Sequence, residues 1–239
     1  MTPTGFTGTL TYASTPPLPT GLTINSTTGE ITGTPRTAKS ATPYTITATS
    51  GLQTATAIVT ITVTAGTCAT GAGVAGTCFV GNTGPGGGIV FYVNPVVTLG
   101  SNYMEAATAD LAFSAWCSNT RSVIAGVETI TDARNSVIGS GKTNTDLMVA
   151  GGACTSGAAV SARDYGTDTA PAGSWFLPSL AELNQLYMQK DVVGGFAAVF
   201  YWSSSQINAE IAWGQDFANG VQFNAFKIFS HHVRPVRAF

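Results

Sequence analysis

Two stretches near the start of the chain alternate with a period of two. Tyr44, Ile46 and Ala48 fall on one side of an extended backbone, opposite Thr45, Thr47 and Thr49. Further on, Ala57, Val59, Ile61 and Val63 oppose Thr56, Ile58, Thr60 and Thr62. Only a strand returns every second residue to the same face, and β-branched side chains suit its pleat, so both stretches predict half-buried β-strands. Turn residues punctuate the preceding segment at Pro16-Pro17, Pro19, Gly21, Gly29 and Gly33. Several short strands in so short a span predict a small sandwich.

Charge is sparse: 9% of the 239 residues are charged and the net charge is −2. A nucleic-acid partner requires a basic face to neutralise phosphates, so the composition argues against one. No apolar run reaches the ~18 residues of a membrane span, and no membrane insertion is expected. Ala, Val and Ile scattered among Thr and Gly fit a β-rich protein of an extracellular setting better than a cytosolic enzyme. Cys68, Cys78, Cys117 and Cys154 form an even set without a C-x-x-C pair. Such a set fits two disulfides outside a reducing cytosol and argues against a zinc ribbon. Met1 leads into Thr, Pro and Gly, with neither a basic n-region nor an apolar h-region. That start fits an excised fragment, or a protein that leaves its cell without the secretory route, as a phage virion component does.

In the first part, Leu18-Pro19-Thr20-Gly21-Leu22-Thr23-Ile24, Thr28-Gly29-Glu30-Ile31-Thr32-Gly33-Thr34-Pro35 and Tyr44-Thr45-Ile46-Thr47-Ala48 stand in series. The series resembles the bacterial immunoglobulin-like module, which is similar to cadherin repeats in shape. The resemblance implies an all-β immunoglobulin-like sandwich over residues 1–64. The clustered Asp and Glu of a cadherin calcium site do not occur here, so the module reads as a spacer. A Gly/Ala/Thr-rich linker follows at 65–82, where Cys68 and Cys78 can close a small loop worth roughly 2–3 kcal/mol by chain entropy. Gly84-Pro85-Gly86-Gly87-Gly88 lacks the spacing and the Lys of a phosphate cradle, and it precedes the strand Ile89–Val93 instead of following one. It reads as a flexible lead-in.

The second part carries one clear helix. Ser179-x-x-Glu182 is a capping box after Pro178, and Leu183, Leu186 and Tyr187 repeat at helical spacing with Leu180 nearby. This helix should end near Lys190, before Gly194-Gly195, and a second should run through parts of 144–165. Strands at both ends with helices between them predict an α+β domain.

A further series runs from Thr83-Gly84-Pro85-Gly86-Gly87-Gly88-Ile89-Val90-Phe91-Tyr92 through Met104-Glu105-Ala106-Ala107 and Ala115-Trp116-Cys117. It continues through Ile138-Gly139-Ser140-Gly141-Lys142-Thr143-Asn144-Thr145 and Trp175-Phe176-Leu177-Pro178 to Tyr201-Trp202-Ser203-Ser204-Ser205 and Val233-Arg234-Pro235-Val236-Arg237-Ala238-Phe239. The whole resembles the C-type lectin-fold domain of variable proteins of diversity-generating retroelements, in the subgroup related to the formylglycine-generating enzyme. The resemblance implies an α+β C-type lectin fold domain over 83–239 with a variable region at about 201–239. In that family a reverse transcriptase copies a template, mutates it at adenines and rewrites the end of the gene.

Template codons AAC or AAT, mutated at adenines, cannot reach Lys, Gln, Glu, Met or Trp. In 207–232, Ile207, Asn208, Ile211, Gly214, Asp216, Ala218, Asn219, Val221, Phe223, Asn224, Ala225, Phe226, Ile228, Phe229, Ser230, His231 and His232 are all reachable. All of these except His232 are the ligand-binding positions that the resemblance implies. The unreachable ones are Glu210, Trp213, Gln215, Gln222 and Lys227. All but Glu210 fall on the family frame A-W-x-Q-x-F-x-x-G-x-Q followed by Lys. Trp213, Gln215 and Phe217 share one strand face, leaving Gly214, Asp216 and Ala218 on the other. Asn219-Gly220 signals a two-residue hairpin turn, and Val233–Phe239 reads as a last strand that closes the sheet with Arg234 and Arg237 available for ion pairs.

By residue type alone Phe223, Phe226 and Phe229 read as core. Under the resemblance they read as binding anchors, because a core does not accept arbitrary substitution. Adjacent His231 and His232 point to opposite faces of a strand and so make a poor metal pair. The lectin calcium signature does not occur, and no metal or cofactor is expected. The implied function is non-enzymatic capture of a protein or glycan target on a cell surface, by a phage virion component or a protein displayed on a bacterial cell. The alternatives are an enzyme related to the formylglycine-generating oxidase, using Cys117 and Cys154, or a purely structural spike domain. A structural disulfide between Cys117 and Cys154 weighs against the oxidase.

Overall fold

A computed structural model describes residues 6–33, 35, 39–64, 68, 78–94 and 102–239. Thr34 of the immunoglobulin-like motif and most of the linker expected at 65–82 lie outside the described residues. The chain divides into two compact units, Met1–Gly66 and Thr67–Phe239.

The first unit is all β. Strands β1 (Thr11–Thr15), β4 (Lys39–Ser50) and β5 (Gln53–Val63) form an antiparallel sheet in the order β1-β4-β5, and β2 (Leu22–Ile24) pairs with β3 (Ile31–Gly33) in a small second sheet. The register sets Tyr44 against Val59, Ile46 against Ala57 and Ala48 against Ala55, so the alternating apolar residues of both strands share one face. Tyr44 and Ala48 are buried there. The half-burial expected of β5 fails: residues 56–60 are exposed on both faces. Its alternation is real, but among the described residues the two-stranded sheet does not extend over it.

The second unit is α+β. Its first and last strands share a sheet of order β13-β7-β6, made of β6 (Ile89–Val93), β7 (Tyr103–Ala106) and β13 (Val236–Ala238). A five-stranded sheet has the order β11-β10-β9-β12-β8, from β8 (Leu111–Ser114), β9 (Phe200–Gln206), β10 (Ile211–Asp216), β11 (Gln222–Phe226) and β12 (His231–Val233). Within it only β12 and β9 run parallel, with His232 opposite Tyr201. Helices α1 (Ser140–Ala150), α2 (Ala158–Asp164), α3 (Leu180–Met188) and α4 (Lys190–Val193) lie between β8 and β9 in the chain. The single helix expected within 144–165 is thus a pair, broken at Gly151-Gly152. Cys117–Cys154 and Cys68–Cys78 are disulfides, with Cα separations of 5.2 and 5.0 Å. Trp116, Met148, Leu177 and Trp202 centre one core, while Phe91, Leu183, Leu186, Tyr201 and Phe217 centre another.

Val233–Phe239 is not one strand. Arg234-Pro235 is a corner at which the chain passes from one sheet to the other. The buried Arg234 donates to Asp110 (2.7 Å) and to the carbonyls of Ala107 (2.9 Å), Gly194 (3.2 Å) and Gly195 (2.5 Å), with its guanidinium 3.8 Å from the Phe196 ring centre. Satisfying so many donors fixes the corner.

Both glycine-rich segments close on buried carboxylates. Gly86 N–H donates to Glu105 at 2.9 and 3.2 Å and Gly88 N–H at 2.9 Å, while Arg237 Nη1 reaches the same carboxylate at 2.5 Å. A Cβ at Gly84 would lie 2.4 Å from Glu105 Oε2, and one at Gly86 2.5 Å from Oε1. Residues 84–88 are therefore a rigid cradle for an internal anion, not a flexible lead-in. Glu182 repeats the device. It completes the capping box of α3 by accepting from Ser179 N–H at 2.8 Å, and it also accepts from Gly139 N–H (2.7 Å) and Gly141 N–H (3.4 Å). Gly139, at the start of α1, has no capping side chain of its own, and Glu182 supplies the acceptor. Burial pushes its pKa up to about 7 against the pull of these N–H groups.

Candidate binding surface

The residues of the C-terminal frame are tied inward, one by one. Trp213 donates through Nε1 to Ile130 O (2.9 Å), and Gln215 through Nε2 to Asn184 Oδ1 (2.9 Å) and Gly220 O (3.0 Å). Ser203 Oγ donates to Trp213 O at 2.8 Å, Ser204 Oγ accepts from Asn144 at 3.2 Å, and Ser205 Oγ donates to Glu128 while accepting from Leu180 N–H at 3.0 Å. Phe217 packs on Tyr201, Phe196 and Tyr187. Lys227 is fully buried: Nζ donates to Gln206 Oε1 (3.0 Å) and Ser122 O (3.3 Å) and lies 4.4 Å from the Trp116 ring centre. No carboxylate is among these partners, and desolvation pushes its pKa down to about 8.

The residues between these anchors face outward. Asn208, Ala218, Asn219, Val221, Asn224, Phe226, Ile228, Phe229 and Ser230 are exposed, and Ile207, Ile211, Asp216, Phe223, Ala225, His231 and His232 are half-buried. Edge position explains why both faces of β11 contribute. Phe223 and Ala225 sit beside Gly214 and Ala212, while Asn224 and Phe226 sit beside Trp213 and Ile211. Gly214 is a correction. It is buried, and a Cβ there would lie 2.4 Å from Tyr201 O and 2.6 Å from the Phe223 ring, so here it belongs to the scaffold. The turn is also wider than the Asn219-Gly220 signal predicts. Residues 217–221 separate β10 from β11, Gly220 N–H donates to Asp216 O (2.7 Å), and of the pair only Gly220 has a positive φ, +84°. Asp216, Asn208 and Asn219 are partly occupied with their own turns, accepting from Ala218 N–H, from Glu210 and Ile211 N–H, and from Val221 N–H.

Beyond β11, Phe226, Ile228 and Phe229 project from a turn in which Phe229 N–H donates to Phe226 O at 2.9 Å, and the two phenylalanine rings meet edge to face at 5.9 Å. Lys227 is the only inward residue of that turn. His231 lies among Trp202 (4.5 Å), Phe223 (5.3 Å) and Phe200 (5.6 Å), whereas His232 contacts Tyr201 and Asp110 on the opposite face. Burial and the neighbouring His232 hold His231 below the ordinary histidine pKa. Phe200, half-exposed and 4.7 Å from Phe223, belongs to this surface and was missed by sequence reasoning. The signal was available: Phe200 and Trp202 alternate, and their strand face is continuous with Gly214 and Phe223.

Residues 1–64 match the He_PIG family, described as "Putative Ig domain". That match establishes an immunoglobulin-like domain at the start of the chain. No match to a curated protein was found. Among solved structures, a fimbrial protein from Bacteroides ovatus is similar at 13% identity and a TM-score of 0.45, over 96% of this chain and 64% of that one. The present chain thus spans less than two thirds of that protein's length. Among the described residues no helix is long and apolar enough to cross a membrane.

Proposed function

We propose that this is a non-enzymatic binding protein. In this reading the second unit is a C-type lectin-like scaffold, and its C-terminal surface is rewritten by a diversity-generating retroelement to meet changing targets. The supporting observation is a sorting by burial. Of the five residues that adenine mutagenesis of AAC or AAT codons cannot produce, Trp213, Gln215 and Lys227 are buried, Gln222 is half-buried and Glu210 is exposed, while every position assigned to the variable set except Gly214 retains exposure; Ala212 and Phe217, reachable by type but part of the frame, are buried. Folding and recognition are then carried by different side chains, which a mutating surface requires. Cys117 and Cys154, which a formylglycine-type oxidase would need as reactive thiols, are bonded to each other and buried, favouring the non-enzymatic reading. A surface rich in phenylalanine and asparagine and poor in charge suits a protein or glycan target, through an interface of roughly 800 Å² on this side. In this reading the protein works at a bacterial cell surface or on a phage virion.

The test is a library randomised at Val221, Asn224, Phe226, Ile228, Phe229 and Ser230, scored for both melting and binding. Exposed substitutions away from packing shift stability by about ±0.5 kcal/mol each, so six of either sign combine to about 1 kcal/mol and library members should melt within about 5 °C of the parent. Trp213→Ala should lose about 3–5 kcal/mol. Selection should return members that bind different targets. Loss of the fold across the library, with Trp213→Ala tolerated, rejects the proposal.

A further inference from the structure

Strand β5 ends the sheet β1-β4-β5, so among the described residues one of its edges pairs with no strand. It is 11 residues long. The other edge strands, β1, β2, β3, β6, β8, β11 and β13, are three to five residues long. Proteins blunt long edges with charge, proline or bulges, because unpaired N–H and C=O groups recruit other strands. β5 has none of these: Gln53-Thr54-Ala55-Thr56-Ala57-Ile58-Val59-Thr60-Ile61-Thr62-Val63 contains no charge and no proline, and its register with β4 is unbroken from Gln53 to Ile61. Ile58 is 72% exposed and Val59 37%. An uncharged recess of about 280 Å³, lined by Tyr12, Ile31, Ile46, Ala55, Ala57 and Val59 among others, lies beside it.

The order of side chains indicates what pairs there. Two antiparallel copies of β5 related by a two-fold axis at Ile58 set Thr54 against Thr62, Ala55 against Ile61, Thr56 against Thr60, Ala57 against Val59 and Ile58 against itself. Threonine meets threonine and apolar meets apolar at every step but the outermost, where Gln53 faces Val63; these are the pairings that stabilise antiparallel neighbours. We propose that β5 is a self-pairing edge, through which two copies of this chain join into one six-stranded antiparallel sheet. The contact is about 37 Å long and a single strand wide. That falls short of the ~1,200 Å² typical of stable complexes, so dimerisation is expected at concentrations on the order of 100 μM.

Sedimentation equilibrium of the full chain between about 5 μM and about 1 mM tests this. The expected result is a mass rising from one chain toward two. Ile58→Lys places like charges directly opposite at the axis and should weaken association at least tenfold, with an unchanged melting curve because Ile58 is exposed. Leu52→Lys adds the same charge at an exposed residue in the β4–β5 turn and should associate as the parent does. An equimolar mixture of Ile58→Lys and Ile58→Glu should recover association. A parent that stays monomeric to about 1 mM overturns the proposal and leaves the edge to a strand of another polypeptide. Undiminished association of Ile58→Lys, equal weakening by Leu52→Lys, or no recovery in the mixture overturns it as well.

Discussion

Glu105→Gln removes one charge and one acceptor from a place where every acceptor is in use. Glu105 Oε1 accepts from Gly86 N–H and from Arg237 Nη1, and Oε2 accepts from Gly88 N–H. A glutamine offers one oxygen and one NH2 group. Whichever way the amide turns, its NH2 faces a donor, either the Gly88 N–H or the Arg237 guanidinium. The glycine loop leaves no room for retreat, since a single added carbon at Gly84 or Gly86 would already lie within 2.5 Å of the carboxylate. The Glu105 side chain is fully buried and that of Arg237 is about one fifth exposed, so the lost pair is weakly screened. Breaking such a pair by removing one partner costs about 3–5 kcal/mol. Partial exposure of Arg237 favours the lower end, about 3 kcal/mol. Urea unfolding followed by tryptophan fluorescence is the assay, because all four tryptophans lie in the second unit and the first is silent. The midpoint should fall at constant slope. Arg237→Met should cost less than Glu105→Gln, because the two N–H donors remain on the carboxylate. A loss below about 1 kcal/mol for Glu105→Gln would refute the cradle as a stabilising element.

Gly141→Ala places a Cβ 2.1 Å from Glu182 Oε2 and 2.7 Å from Ser179 N, and should cost more than about 3 kcal/mol by the same unfolding assay. Gly139→Ala, with open space but φ +102°, should cost only about 1 kcal/mol. Lys227 has a folded pKa of about 8 against 10.5 unfolded, so between these values the unfolded chain binds more protons and stability should rise with pH, by at most about 3 kcal/mol. Lys227→Met should flatten that rise in urea melts taken from pH 7.5 to 10.5, and an unchanged slope contradicts the assignment. His231 has a folded pKa below the ordinary 6.5, so its contribution is complete above that value and is lost as pH falls below it. His231→Phe should remove this acid-side loss, measured as melting temperature from pH 7 to pH 4.5.

Local chemistry was legible where neighbours in sequence are neighbours in space. The capping box of Ser179 and Glu182 marks the start of α3 because both partners lie within one turn. That Glu182 also serves Gly139 and Gly141 is invisible in sequence, since those glycines lie some forty residues away. For the same reason Gly84–Gly88 reads as slack chain until Glu105 is placed inside it. The alternation of β5 declares a strand but not what lies over its faces, so its exposure had to be seen. In the terminal stretch, alternation put Trp213, Gln215 and Phe217 on one face, and all three are buried. Gly214 defeated the rule because a neighbouring Phe223 covers it, and a period of two says nothing about a ring folding back from the next strand. The turn at Asn219-Gly220 was placed correctly, and its width was set by Asp216 pairing with Val221.

Strand β13 follows every residue of the outward-facing stretch in the chain and yet pairs with β7, beside the strand that opens the second unit. Translation must therefore pass through the whole exposed region before the first sheet can be completed. A polypeptide interrupted anywhere between Tyr201 and Pro235 lacks Val236 and Arg237, and leaves the Glu105 carboxylate without its cationic partner. Incomplete products fail to close and are open to proteolysis, so the fold itself proofreads the integrity of its outward-facing stretch.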